Sequence, residues 1–387
     1  MTNFERLEQA SELDPEHFRS MLESMICLED MEERASAVLS PEVWDFVAGG
    51  AGREVTLRAN RAALDRVRLV PRVLSDVSQC RTETKLLARP TSMPVAVAPM
   101  AYQRLLCPEG ELATARAAGD EGIVFVASML SSRSIEEIVS SGATTWLQLY
   151  WLRDRGLVLD LVKRAEAAGC RALVLTVDVP HMGRRLRDIR SGFVLPPHVT
   201  AANLPEQASA RARSEGVAGS AVMAHTAESF DPSLCWADVG WLRDQTSLPI
   251  VLKGVLHPDD AATAADEGID AIVVSNHGGR QLDGAVSSIA ALPAVRDAVG
   301  DRCELLLDSG VRCGTDVLKA IALGASGVLL GRPLMWGLAV GGQAGVARAL
   351  KLLRTELEDA MTLSGARDVE TARLLNTVMA PAEEGWR

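Results

Sequence analysis

PIVLKGVLHPDDAATAADEGIDAIVVSNHGGRQLD, residues 249–283, decides how the rest of the chain is read. PIVLKGV (249–255) and AIVVSNH (271–277) are continuous in Val, Ile and Leu. Strands buried on both faces of a parallel sheet have this pattern; half-exposed strands alternate. Between them, HPDDAATAADEG (257–268) reads as an amphipathic helix, closed by a glycine that tolerates the left-handed C-cap conformation. The unit is strand–helix–strand.

The same unit recurs in both directions. Upstream lie MPVAVAPM (93–100), IVFVAS (123–128), TWLQLY (145–150) and ALVLTVD (172–178); downstream lie ELLLDSG (304–310) and GVLLGRP (327–333). Helical segments such as PEGELATARAAGDEG, SIEEIVSSG, RGLVLDLVKRAEAAG and GTDVLKAIALGA separate them. Eight such strands imply an α/β fold of the (β/α)8 TIM-barrel type, because a doubly wound sheet normally stops nearer six. Strand starts are roughly 22 to 33 residues apart, except for about 77 between the fourth and fifth. That gap holds an insertion, 197–234, rich in Ala, Ser, Glu and Arg and with little periodicity. Following a barrel strand, it is expected to act as a mobile lid over the C-terminal mouth. Residues 1–90, helical to about 63 and then extended, are expected to cap a barrel at 93–365, with 366–387 as a tail. All 387 residues then form a single domain.

Composition narrows the function. Hydrophobic residues make up 48% and charged residues 24%, the balance of an ordinary globular protein. Forty Lys and Arg against 51 Asp and Glu leave a net charge of −11, which argues against a nucleic-acid partner. Seven scattered cysteines without C-x-x-C fit free thiols in a reducing cytoplasm. No apolar run is long enough to span a bilayer, and nothing marks a membrane anchor. The start, MTNFERLEQASELDPEHF, lacks the basic and apolar regions of a signal peptide. Cytoplasmic location is the expectation.

In a barrel, functional side chains gather at the C-terminal strand ends. Here these ends carry Met100-Ala101-Tyr102, Ser128, Gln148 and Tyr150, Thr176 and Asp178, Lys253, Ser275 and His277, Asp308, and Gly331-Arg332. The strand interiors are apolar and nearly every end is polar. Both tyrosines of the chain fall in this set. SNHGGRQLD (275–283) is the densest motif: His277 can exchange a proton near neutral pH, and Arg280 can clamp a carboxylate. Asp178 is placed to orient His277 and stabilise its protonated form. The cationic run after it reads either as a solvated helix face or as a source of one inward arginine. DSGVRCGTDVLKA and GASGVLLGRP bring Arg312 and Arg332 to the loops where this fold holds phosphates. Lys253 is one of five lysines and closes an apolar strand alone. GxGxxG after a strand, Walker, HExxH and GxSxG motifs are absent, and no metal centre is expected. GGAGRE (49–54) and GGQAGV (341–346) read as turns.

These stretches resemble the FMN-dependent α-hydroxy-acid oxidase/dehydrogenase family. LRANRAALDRVRLVPRVL, PVAVAPMAYQ, WLQLYWLRDR, LTVDVPHMGRRLRDIR, IVVSNHGGRQLD, LLDSGVRCGTDVLKAIALGA and LLGRPLMWGLA run in family order over roughly residues 40 to 365. AYQRL, QLYWLRD and VTAAN are most similar to the branch acting on mandelate and 4-hydroxymandelate. The resemblance implies an FMN cofactor contacted by Pro99, Met100 and Ala101 through backbone. Ser128, Gln148, Thr176 and Ser275 would surround the ring, with Lys253 at N1/O2. Asp308, Ser309, Gly310, Arg312, Gly331 and Arg332 would hold ribityl and phosphate. It further implies that Arg185 and Arg280 bind the substrate carboxylate, Tyr150 bonds the substrate hydroxyl, and His277, paired with Asp178, is the base. A homotetramer is implied as well.

Three positions depart from the family pattern. Phe46 stands where a tyrosine usually faces the carboxylate. Leu130 stands where glycolate-oxidising members have tryptophan, which should widen the pocket for an aryl group. Ser309 turns the usual DGG into DSG. The expected reaction is oxidation of an aromatic (S)-2-hydroxy acid to the 2-keto acid, with O2 reduced to H2O2. The rivals are a dehydrogenase using a quinone or protein acceptor, an oxidative decarboxylase of monooxygenase type, and a non-catalytic flavin- or phosphate-binding barrel.

Overall fold

The computed structural model describes residues 15–205 and 228–381. Residues 206–227, the centre of the expected lid, lie outside the described residues, as do 1–14 and 382–387. In chain order the strands are β1 (Val67–Val70), β2 (Thr84–Leu86), β3 (Arg89–Thr91), β4 (Val95–Val97), β5 (Val124–Ser128) and β6 (Thr145–Leu149). They continue with β7 (Leu173–Thr176), β8 (Ile250–Val255), β9 (Ala271–Val274), β10 (Glu304–Leu307), β11 (Gly327–Leu330) and β12 (Asn376–Met379). From β4 to β11 each strand pairs in parallel with the next, and β11 pairs back onto β4. The fold is a closed (β/α)8 barrel. Most of the strands read from sequence stop a few residues earlier than expected, because the chain leaves the ladder there to form the mouth.

Alternation within each strand explains why the mouth is polar. Side chains two apart share a face. Val124 and Val126 lie in the same interior cluster as Trp146, Val174, Val251, Val273, Leu306 and Leu329. Two residues beyond each set, on the same inward parity, come Ser128, Gln148, Thr176, Lys253, Ser275, Asp308 and Gly331. The interior is therefore a packed apolar plug that turns polar at one level. The surrounding helices follow their caps: Ser134 Oγ accepts from Glu137 N at 3.2 Å and starts helix Ile135–Ser140. Asp154 caps helix Arg155–Ala168, which ends at left-handed Gly169.

The N-terminal segment folds into helices Pro15–Ser24, Leu28–Val38, Pro41–Ala48 and Val55–Arg66. Two short elements were not legible in sequence. The β2–β3 hairpin sends Leu86 into the interior cluster and closes the barrel floor. β12, within the expected tail, pairs antiparallel with β1. Its sequence NTVM has no apolar run because three of its four side chains are exposed. GGQAGV falls inside helix Arg332–Ser364, where Gly341 and Gly342 take non-helical angles and kink it.

Candidate active site

His277 sits just beyond β9 with left-handed φ of 59°, followed by Gly278 and Gly279 at 65° and 73°. Gly279 admits no side chain, since a Cβ there would lie 2.7 Å from the Leu57 backbone. His277 Nδ1 is 3.0 Å from Asp178 Oδ1. An ionised carboxylate can only accept, so Nδ1 carries the hydrogen and Nε2 keeps its lone pair. Burial lowers the imidazole pKa below its ordinary 6.5, against the pull of Asp178, and Lys253 and Arg185 lower it further. The ring is a neutral base at neutral pH. On this ground kcat/KM is expected to fall as pH drops through a midpoint below 6.5, where the base is protonated. Burial raises the Tyr150 phenol above its ordinary 10, so Tyr150 adds no alkaline limb below that pH. A pH profile with an acid-limb midpoint above 7 would contradict this assignment.

Other letters of SNHGGRQLD fix that turn. Asn276 and Asn60 exchange side-chain hydrogen bonds of 2.7 and 2.9 Å, pinning helix Val55–Arg66 to it. Gln281 Nε2 donates to Asp178 O at 2.8 Å, and Asp283 accepts from Arg53 N and Thr56 N. Ala51 N–H donates to Gly279 O at 2.8 Å. Sequence reasoning missed Asn60, Asn276, Gln281 and Asp283 as positioning residues. The signal was the density of side chains able to bond to backbone around a double glycine.

Across the mouth stand four guanidiniums, Arg185 and Arg332 buried, Arg280 and Arg312 half-buried. Burial and the facing Arg280 charge pull Arg185 down to about 9, and burial brings Arg312 to about 10. Arg332 is lowered well below its ordinary value by burial, then by Arg280, Arg312 and Arg185. Guanidiniums stay protonated, so these shifts express first the cost of burying the charges and then, at Arg185 and Arg332, repulsion from neighbouring cations. Arg185 Nε is buried without a hydrogen-bond partner, and the nearest carboxylate, Asp188, lies 3.9 Å from Nη1. Arg280 Nη1 and Arg332 Nη2 both donate to Gly49 O, at 2.8 and 3.0 Å. GGAGRE is thus a turn whose backbone holds two of the arginines. Phe46 lies under Arg280, with Cζ 5.5 Å from its ring centroid, and stacks on Phe193. A cation–π contact stands where a phenol would have donated.

Lys253 Nζ is 2.8 Å from Asp308 Oδ2 and donates to Ser275 Oγ at 3.1 Å. Burial alone would lower the ammonium, but Asp308 and Asp178 hold it above its ordinary value. The Asp308 carboxyl, which burial would raise, is held low by Lys253. Both groups are charged. Ser128 Oγ donates to Gln148 Oε1 at 3.1 Å, and Gln148 Nε2 donates to Thr176 Oγ1 at 3.0 Å.

The cavity has about 1300 Å3 of space, including its open end. It is lined by Phe46, Pro99, Met100, Ala101, Leu130, Tyr150, Thr176, Arg185, Lys253, His277, Arg280, Asp308, Ser309, Gly310, Arg312, Gly331 and Arg332. Ser128, Gln148, Ser275 and Asp178 sit directly behind this lining, bonded to its members. Val179, Met182 and Phe230 also line it and were not foreseen. Phe230 stacks on Tyr150 at 4.6 Å, and a bridge to Leu152 holds it there. A lone aromatic in a stretch otherwise poor in them was the available signal. At the other flank, Ala202 N–H donates to Ser131 O at 2.9 Å, so both described ends of the insertion are tied to the mouth.

A matching family model, FMN-dependent dehydrogenase, covers residues 35–376. The chain belongs to the FMN-dependent dehydrogenase family. It is 55% identical to 4-hydroxymandelate oxidase from Amycolatopsis orientalis, covering 91% of this chain and 98% of that protein. It is 48% identical to L-lactate oxidase from Nostoc sp., covering 91% and 99%. A crystal structure of mandelate oxidase with (S)-4-hydroxymandelic acid superposes with a TM-score of 0.89 at 54% identity, covering 92% of this chain and 99% of that one.

FMN is the cofactor of this family, and the mouth fits it. The crowded guanidiniums of Arg312 and Arg332 beside the N-terminus of helix Arg332–Ser364 suit a phosphate. The uncapped donor on Arg185 leaves a separate place for a carboxylate.

Proposed function

We propose that this enzyme oxidises an aromatic (S)-2-hydroxy acid, of mandelate or 4-hydroxymandelate type, to the 2-keto acid, with O2 reduced to H2O2. The observation that carries this reading is one cavity joining the His277–Asp178 pair, Arg185 and Arg280, and an apolar wall of Leu130, Val179, Met182 and Phe230. Arg185 and Arg280 bind the substrate carboxylate. Tyr150, kept as a neutral phenol by burial, donates to the substrate oxygen. His277 Nε2 takes a proton, and Asp178 stabilises the resulting imidazolium. FMN, when bound, would supply the two-electron acceptor and the onward reaction with dioxygen. Lys253 would present a fixed positive charge to the ring, and Arg312, Arg332, Gly310 and Gly331 would hold the phosphate end. Pro99, Met100 and Ala101 would present backbone to the ring, and Ser128, Gln148, Thr176 and Ser275 would order its surroundings.

Leu130 sets the width of the pocket in this account. Leu130→Trp is expected to cut kcat/KM for 4-hydroxymandelate by about 100-fold while sparing glycolate, since filling a hydrophobic pocket is worth roughly 1–3 kcal/mol. A steady-state panel of glycolate, lactate, mandelate and 4-hydroxymandelate checks this. Equal losses on all four acids would sink the role of Leu130. Product analysis separates the decarboxylating rival, because an oxidative decarboxylase releases CO2 and an acid one carbon shorter.

A homotetramer in the cytoplasm completes the proposal. All seven cysteines are free thiols, as reducing compartments keep them. Val73, Leu74, Leu363, Leu374 and Val378 leave large apolar side chains exposed on and beside the β1–β12 ribbon, which suits a contact between copies. No helix among the described residues is long and apolar enough to cross a membrane.

A further inference from the structure

Ser309 holds a left-handed backbone with φ of 77°, a conformation that favours glycine. What sustains it is a hydroxyl with two partners. Gly278 N–H donates to Ser309 Oγ at 2.9 Å, and Oγ donates to Asp308 Oδ1 at 2.7 Å. The polarity is fixed, because an ionised carboxylate has no hydrogen to give. The other carboxylate oxygen of Asp308 faces Lys253 Nζ at 2.8 Å. Lys253 in turn donates to Ser275 Oγ, which also accepts from His277 N at 3.0 Å. Lys253, Asp308, Ser309, Gly278, His277 and Ser275 thus form a closed ring. Its side chains at 253, 275, 308 and 309 are all buried. The ring braces three successive left-handed residues, 277–279, which need surrounding contacts to persist.

We propose that Ser309 is a positioning residue that couples the Lys253–Asp308 ion pair to the His277 turn, so that one hydroxyl sets both the charge presented to FMN and the placement of the base. This rests on the reading of His277 as the base. Without the hydroxyl, Asp308 Oδ1 loses a donor and its full charge falls on Lys253, which weakens the positive field on the cofactor. Gly278 N–H loses its acceptor at the same time, and the turn loosens.

Two variants separate coupling from mere tolerance of strain. Ser309→Gly removes the hydroxyl and relieves the left-handed strain; Ser309→Ala removes the hydroxyl and keeps the strain. With FMN bound, Ser309→Gly is expected to melt no lower than the parent protein, and Ser309→Ala lower. Both are expected to reduce FMN with substrate about tenfold more slowly. Both should also lower the two-electron midpoint potential by about 30 mV, the equivalent of tenfold. The potential is measured without substrate, so it reports on Ser309 even if His277 is not the base. A Ser309→Gly enzyme with parental potential, or with parental reduction rate, overturns the coupling.

Discussion

Replacing His277 by alanine is expected to leave a yellow, FMN-loaded protein whose flavin is reduced by substrate at least about 1000-fold more slowly. The magnitude is that of a positioned general base, roughly 100- to 10,000-fold. The imidazole is half of a buried pair with Asp178 at 3.0 Å, and removing it leaves Asp178 with no hydrogen bond at Oδ1 and a buried, unpartnered Oδ2. The phosphate-end arginines are untouched, so cofactor retention should survive. Anaerobic stopped-flow bleaching of the flavin colour checks the rate. Rapid bleaching in this variant would remove His277 from the chemistry.

The second large effect is expected at Lys253. Lys253→Met leaves Asp308 ionised and buried without its counter-ion, which costs about 3–5 kcal/mol of stability. It also removes the fixed positive charge facing the cofactor, so flavin reduction should slow by about 1000-fold, the order seen when one preorganised electrostatic contact is lost. Stability and rate come apart in a double variant. Lys253→Met with Asp308→Asn removes both charges; it is expected to regain most of the melting temperature and none of the rate. Recovery of both would mean that Lys253 serves only to neutralise Asp308.

Much of this is legible in the sequence alone. The eight strands declared themselves because most of their residues are buried on both faces and so are rich in Val, Ile and Leu. The mouth residues followed from their place at the C-terminal strand ends, where this fold gathers functional side chains. What escaped had no such pattern. β12 carries three exposed side chains out of four, and the β2–β3 hairpin contributes one interior residue, Leu86. Phe230 reaches the cavity through a loop, where side-chain direction is set by tertiary contacts and not by a repeat. The role of Ser309 was equally hidden. A serine in DSG shows a departure from glycine, but only the folded chain brings Gly278 and Asp308 to its hydroxyl. GGAGRE read as a turn, which it is, yet the Gly49 carbonyl holds two arginines that are distant in sequence.

The central claim is that one cavity oxidises an aromatic 2-hydroxy acid on FMN and hands the electrons to dioxygen. Anaerobic mixing of the wild-type holoenzyme with (S)-4-hydroxymandelate or with glycolate, followed by admission of air, tests it most directly. The account predicts fast bleaching with the aromatic acid, much slower bleaching with glycolate, and prompt return of the yellow colour with stoichiometric H2O2. Faster bleaching by glycolate, or a reduced flavin that stays colourless in air, would contradict it.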